Sequence, residues 1–107
     1  ASIGGLKEIF ALGREHGFPV LVQYNPLPEA ADNETVKEAM AKMKENLERV
    51  IEPHFHVSLY RPFLRFYPDG HCADMRHLTE KGRNRQTEEL IDWLRQNQNI
   101  FNRLLDK

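Results

Sequence analysis

The chain has 107 residues, of which 40% are hydrophobic and 29% charged, the balance of an ordinary soluble protein with one hydrophobic core. Its formal net charge of -1 gives no general attraction to nucleic acid or to an anionic membrane, and no apolar run is long enough to span a bilayer. A single cysteine, Cys72, excludes an internal disulfide. We therefore expect one cytoplasmic domain over residues 1–107, with no membrane partner.

The first part of the chain predicts a helix followed by a buried strand. Apolar residues recur at helical spacing over residues 6–16, and Gly17 can close this helix in a left-handed conformation. Gly13, inside the helix, either allows close packing or makes the helix irregular. Residues 19–24 are too few and too β-branched for a helix, so they predict a central parallel strand.

The strongest helical pattern runs to about Ile51. Asp32 or Asn33 can cap this helix, and its apolar side chains form one stripe opposite a charged face. Residues 53–60 then alternate between apolar and polar side chains, which is the period of a half-exposed strand. A strand, a helix and a strand in this order favour a parallel pair.

An apolar stretch between two turn signals follows. Residues 63–67 predict a strand that begins after Pro62, and Pro68-Asp69-Gly70 predicts a tight turn in which glycine takes a positive φ. The chain would then return as an antiparallel strand through Cys72 to about residue 78.

A charged loop that contains Gly82 leads to the last helical region. The apolar residues of that region divide into two groups, broken near Asn97-Gln98-Asn99, and the second group holds Phe101, Leu104 and Leu105. The order of the predicted helices and strands along the chain indicates an α+β domain, in which helices flank one mixed sheet of about four strands.

The second half resembles the C-terminal half of the thioredoxin fold, in which a proline opens a central strand and a glycine turn leads to an edge strand and a last helix. The residues that carry this resemblance are Pro62, residues 63–67, Asp69-Gly70, Gly82 and residues 88–94, with Gly17 and residues 19–22 as a looser match in the first half. The resemblance implies a trimmed thioredoxin-like fold with a cis peptide bond between Arg61 and Pro62.

Redox members of that superfamily carry two cysteines, separated by two residues, after the first strand. Residues 24–29 hold no cysteine here, and thiol–disulfide exchange needs an attacking thiolate. The resemblance thus implies a thioredoxin-like fold without the thiol–disulfide exchange activity. The preferred hypothesis is a non-catalytic interaction or assembly module whose partner is another protein or a second copy.

Histidines suggest an alternative, a zinc-type metal site. Four of the five histidines and the cysteine lie in two short stretches, and their imidazole and thiolate groups are ligands that zinc prefers. The candidate ligands are His54, His56, His71, Cys72 and His77. These histidines can also be half-exposed strand residues or a pH-responsive surface. No other cofactor is expected.

A second alternative is a small enzyme in which Cys72 is the nucleophile, activated by His71 or His77. A hairpin strand supplies no helix dipole to lower the pKa of a thiol, so an enzyme is not the preferred hypothesis.

Basic residues in the middle of the chain are candidates for partner binding. Arg61, Arg65, Arg76 and Arg83 form either a solvated rim or a surface for an acidic protein. Nucleic acid is not expected, because the aromatic residues that would interleave with them are needed in the core.

Overall fold

The computed structural model describes residues 3–99 and residue 102. This part of the chain holds three α-helices and four short strands, so the predicted α+β class is confirmed. The elements are α1 (Ile3–His16), β1 (Val20–Val22), β2 (Leu27–Pro28), α2 (Glu34–Ile51), β3 (Val57–Leu59), β4 (Phe66–Tyr67) and α3 (Glu80–Gln96). Short 3-10 turns occupy Glu29–Ala31 and Asp69–His71.

Local sequence signals fix the ends of α1 and α2 as predicted. The side chain of Asn33 accepts a hydrogen bond from the backbone N–H of Val36 at 2.9 Å and caps α2. Gly17, with φ of 73°, closes α1 in the left-handed conformation. Gly13 allows close packing, because a Cβ atom there would lie 2.8 Å from Cγ2 of Val20.

Two chain segments, 20–28 and 57–67, run side by side in the same direction. α2 is the crossover between them, so the predicted parallel pair is confirmed. The register places Val20 opposite Val57 in the pair of β1 and β3, and Leu27 opposite Phe66 in the pair of β2 and β4.

The two parallel ladders are separated because the segments differ in length between them. Four residues, 23–26, face six residues, 60–65. Two extra residues cannot stay in register with the neighbouring segment, so the ladder stops after β3 and resumes at β4. The Arg61–Pro62 peptide bond lies in this longer stretch and is cis, as predicted.

The predicted single mixed sheet is therefore wrong. The four strands form two separate two-stranded sheets, both parallel, and a thioredoxin-like topology is not confirmed. The predicted strand over 53–60 is reduced to β3, and the one over 63–67 is reduced to β4.

The predicted hairpin at Pro68-Asp69-Gly70 is also wrong. This stretch enters a 3-10 turn, in which Oδ1 of Asp69 accepts a hydrogen bond from the backbone N–H of Ala30 at 3.0 Å. Gly70 does not have the positive φ that the hairpin needs. Of the predicted antiparallel strand, the described residues form only an isolated bridge between Cys72 and Leu78.

Helix α3 begins earlier than the sequence suggests, and Gly82 lies in its first turn rather than in a loop. The hydroxyl oxygen of Thr79 accepts a hydrogen bond from the N–H of Gly82 at 3.2 Å and caps the helix. The backbone N–H of Thr79 donates to the carbonyl oxygen of His71 at 3.0 Å. A Cβ atom on residue 82 would overlap that same carbonyl oxygen, so α3 packs on the Asp69–His71 turn through glycine.

The helix α3 ends at Gln96, which agrees with the predicted break near Asn97. The apolar residues predicted to follow, Phe101, Leu104 and Leu105, lie outside the described residues. The hydrophobic core consists of Phe10, Leu27, Ala31, Met40, Ile51, Val57, Leu59 and Phe63.

Replacing Gly82 with alanine should destabilise the protein. Although alanine favours a helix, its methyl group would force the backbone of α3 away from His71, so we expect the free energy of unfolding to fall by about 2 kcal/mol. Denaturant unfolding measures the change. Gly70→Ala is the matched control, since nothing lies within 4 Å of a Cβ there. Equal stability of the two variants would contradict this packing.

Candidate functional site

A cleft lies between segment 57–67 and the C-terminal half of α3. It consists of two adjoining cavities of about 560 and 400 Å³, which share Arg61, Trp93 and Gln96. We call it the α3 cleft. Its first half is bounded by β3 and the end of α2, and its second half by residues 60–67.

A buried arginine lies in the second half. Arg65 is 9% exposed, and its guanidinium donates hydrogen bonds to Oε1 of Glu89 at 3.0 Å and to the carbonyl oxygen of Tyr24 at 3.1 Å. The same group lies 4.4 Å from the centre of the Tyr60 ring. Its Nε has no hydrogen-bond partner among the described residues. Arg65 is thus a desolvated cation whose Nε is left without a partner within the described residues.

Glu89 connects this arginine to two further side chains. The hydroxyl of Tyr67 donates to Oε1 of Glu89, and Nε of Arg85 donates to Oε2 at 3.3 Å. The guanidinium of Arg85 also lies 4.2 Å from the centre of the Tyr67 ring. One carboxylate therefore joins α3 to β4 and to Arg65.

The pKa values of Glu89 and Tyr67 both move away from neutrality. Burial raises the pKa of Glu89, but hydrogen bonds from Tyr67 and Arg65 outweigh burial, and the net pKa is lowered. Burial, followed by the hydrogen bond to Glu89, raises the pKa of Tyr67. Neither group is poised to exchange a proton near pH 7, so an acid–base role for this pair is disfavoured.

The first half of the cleft contains an edge of β3 that pairs with no other strand among the described residues. In the parallel ladder, the N–H of Val20 donates to the carbonyl of His56, and the N–H of Tyr60 donates to the carbonyl of Val22. This pattern turns the backbone N–H and C=O of Leu59 to the side of β3 away from β1, and Leu59 is one of the residues that line the cleft. Neither group has a hydrogen-bond partner among residues 3–99. Among the described residues, the first half of the cleft thus holds one backbone donor and one backbone acceptor without partners, both on the buried residue Leu59.

The two halves of the cleft differ in charge. Glu48 and Glu52 line the half at β3, where α2 and α3 both end and their last carbonyls add negative character. Arg61 lies where the halves meet and forms an ion pair with Glu48 at 3.1 Å. Arg65 and Arg85 line the other half together with Asp92 and with Glu89, which pairs with both arginines, so that half has three arginines, counting Arg61, and two carboxylates.

Only two of the four predicted partner-binding arginines lie in the cleft. Arg61 and Arg65 line it together, whereas the other two belong to the connection before α3 and to its first turns. Arg76 is exposed, and its carbonyl accepts a 3.5 Å hydrogen bond from Asn25. Arg83 donates to the carbonyl of Leu78 at 3.0 Å.

Sequence reasoning did not identify Tyr67, Arg85 and Glu89 as site residues. The four-residue spacing of Arg85 and Glu89 on one helix face was the available signal. Such pairs are common on solvated helices, and only the tertiary structure brings Tyr67 and Arg65 to the same carboxylate.

The five predicted metal ligands are divided between different surroundings. The rings of His54 and His56 have centres 5.9 Å apart, and Nε2 of His56 lies 2.6 Å from the carbonyl oxygen of Phe10. His71 instead contacts the ring of Tyr67, and Nδ1 of His77 lies 3.0 Å from the carboxylate of Asp74; Cys72 is next to His71 in the chain.

Over the described part of the chain, no three histidine, cysteine, aspartate or glutamate residues are grouped so that they could hold a metal ion. The zinc site stays a prediction from sequence, to which the geometry adds no third ligand beside His54 and His56.

Cys72 is poorly suited to the nucleophilic role considered for it. Burial, and then the carboxylate of Asp69, raise the pKa of its thiol. Because the thiolate is the nucleophilic form, this environment disfavours reaction at Cys72.

Comparison with known proteins gives no independent guide. No protein-family model, curated protein or solved structure matches this chain. In the part of the chain that the structure describes, no helix has the length and apolar character required to cross a membrane.

The raised pKa of Tyr67 should appear in an absorbance titration of tyrosinate. The chain has three tyrosines, and we expect the last ionisation at high pH to disappear in Tyr67→Phe, since this phenol is buried and bonded to a carboxylate. The same step should remain in Tyr24→Phe, with folding followed by circular dichroism. Persistence of the step in Tyr67→Phe would refute the assignment.

Glu89 should make stability depend on acid pH. Its folded pKa lies below its ordinary value of about 4.3, so its stabilisation is complete above that pH and is lost as pH falls through the folded pKa. We expect Glu89→Gln to lower the free energy of unfolding by about 2 kcal/mol at pH 7, because Arg65 loses its carboxylate, and the difference should shrink in acid.

Urea unfolding at several pH values measures this difference between Glu89→Gln and the original protein. Glu88→Gln is the control, since Glu88 is exposed on the same helix, and it should change stability by less than about 0.5 kcal/mol. A difference that is independent of pH would argue against ionic stabilisation by Glu89.

Proposed function

We propose that this domain is a non-catalytic protein-binding module that receives an extended segment of a partner protein in the α3 cleft. The observation that carries the proposal is this edge of β3, where the N–H and C=O of Leu59, a residue that lines the cleft, are without partners among residues 3–99. An extended chain satisfies such groups by adding a strand, which supplies affinity through the main chain.

The walls of the cleft supply contacts for side chains of that segment. Trp93 and Gln96 lie at the junction of the two halves, where alternate side chains of an added strand would meet α3. Glu48 and Glu52 suit a basic residue at one end of the segment, and the three arginines, which outnumber the two carboxylates of the other half, suit an acidic residue there. A segment of mixed charge fits this arrangement better than nucleic acid, whose phosphates would meet the carboxylates.

A separate extended segment is a better occupant than a second copy of this domain. The edge of β3 lies in a concavity between the ends of α2 and α3. Two copies would have to bring the same recessed edge together, which a single extended segment does not require. The homo-oligomer weighed from the sequence is therefore the weaker form of this proposal.

Chemistry at a cysteine is the weaker competing function. One cysteine cannot form the intramolecular dithiol pair of a redox enzyme, and the pKa of Cys72 is raised. A binding role needs neither a thiolate nor a general base, and it uses the features that the cleft does possess.

Selection of random strand-length peptides against the domain tests the proposal. We expect enriched peptides to slow hydrogen exchange at the N–H of Leu59, because that group gains an acceptor. Their affinity should fall at least about tenfold for Gln96→Trp, which fills the cleft where its halves meet.

Gln98→Trp is the matched control, because Gln98 is exposed just beyond α3 and does not line either cavity. Enriched peptides should bind this variant and the original protein equally. Failure to enrich any peptide, or equal binding to both tryptophan variants, would count against the α3 cleft as the binding site.

A further inference from the structure

A second cavity lies at the end of the domain where β1 and β3 begin. It has a volume of about 190 Å³ between the last turn of α1 and the residues that precede β3. We call it the histidine pocket. Its lining residues are Gly13, Arg14, Gly17, Phe18, Pro53, His54, Phe55 and His56.

Gly13 and the carbonyl group of Phe10 determine the position of His56 in this pocket. Gly13 lets His56 approach α1, since a Cβ atom there would lie 3.2 Å from Cδ2 of the imidazole. A carbonyl oxygen only accepts, so Nε2 of His56 carries a proton and donates to the carbonyl of Phe10 at 2.6 Å. Gly17 then turns the chain, and the N–H of Phe18 donates to the carbonyl of Gly13 at 3.0 Å.

The ionisable side chains that line the pocket are all basic. They are Arg14, His54 and His56, and neither aspartate nor glutamate is among the described lining residues. Arg14 has no ion-pair partner within residues 3–99, and the ring nitrogens of His54 make no hydrogen bond there. The pocket therefore offers unused donors and no competing carboxylate.

Helix α1 ends at this pocket. The partial negative charge of its last carbonyl groups, taken alone, would disfavour binding of an anion. Two of the nearby carbonyl groups are already occupied, however, that of Phe10 by His56 and that of Gly13 by Phe18. The guanidinium of Arg14 then carries a full positive charge that a ligand in the pocket would contact. Two aromatic side chains line the same pocket, Phe18 at 46% and Phe55 at 65% exposure, and the ring of Phe18 stacks on that of His16.

We propose that the histidine pocket binds a small aromatic carboxylate, with its carboxylate on Arg14 and His54 and its ring against Phe18 and Phe55. A flat ring suits aromatic walls, and a carboxylate suits the planar guanidinium. The site lies apart from the α3 cleft, whose lining residues it does not share, and does not depend on the function proposed there.

NMR titration of labelled protein with benzoate, in metal-free buffer without carboxylate or phosphate, tests this proposal. We expect saturable amide shifts around the pocket. Benzamide, which has the ring without the charge, and acetate, which has the charge without the ring, should each bind at least about tenfold more weakly.

Arg14→Gln should weaken benzoate binding by about tenfold, since it removes the charge and keeps much of the side chain. Arg49→Gln is the matched control, because Arg49 is exposed on α2 and does not line the pocket; its affinity should equal that of the original protein. Absence of saturable shifts, equal binding of benzoate and benzamide, or equal affinity of the two glutamine variants would overturn the proposal.

Discussion

Two chain segments of unequal length, held side by side in parallel, determine the form of this domain. β1 and β3 pair in one register and β2 and β4 in another, because six residues lie opposite four between the two ladders. The six residues cannot all stay in register with four, and the cis peptide bond between Arg61 and Pro62 lies among them. The same irregular stretch supplies Tyr60, Arg61 and Arg65 to the α3 cleft. The break in pairing thus creates the surface on which the candidate site is built.

Helix α3 completes that surface and is attached by polar groups. Its first turn packs through Gly82 on the Asp69–His71 turn, and Glu89 connects its middle to Tyr67 and Arg65. Because Glu89 is the common partner of a cation and a phenol, it positions the helix and also holds the charge of Arg65 inside the protein. Structure and electrostatics of the cleft depend on one carboxylate.

Much of the first half could be predicted from the sequence because its signals are local. Asn33 caps α2 within one turn, Gly17 ends α1 by its own conformational freedom, and the crossover through α2 requires a parallel pair. The hairpin failed for a reason that is not local. Asp69 caps a turn against the N–H of Ala30, from a distant part of the chain, so a tertiary hydrogen bond overrides the turn preference of the tripeptide.

The candidate site was predictable only in part. Arg61 and Arg65 stand in a basic stretch that the sequence reveals, but their partners come from other elements, and Glu89 and Arg85 have the spacing of an ordinary surface pair. The charged stretch around Gly82 predicts a loop, but Gly82 lies in the first turn of α3. Glycine is required at position 82 because the carbonyl oxygen of His71 lies where a Cβ atom would be. No local sequence pattern shows this contact.

The way in which α3 is attached has a thermodynamic consequence. Only Gly82 and Trp93 are buried along this helix, so its separation from the rest of the domain would uncover little apolar surface. Heat capacity changes and denaturant dependence both scale with the surface exposed. Detachment of α3 would therefore have a small heat capacity change and a weak dependence on denaturant. Global unfolding would have larger values of both, because it uncovers the core around Phe10 and Phe63. The α3 cleft thus lies between a helix held largely by polar contacts and the part of the domain that contains the apolar core.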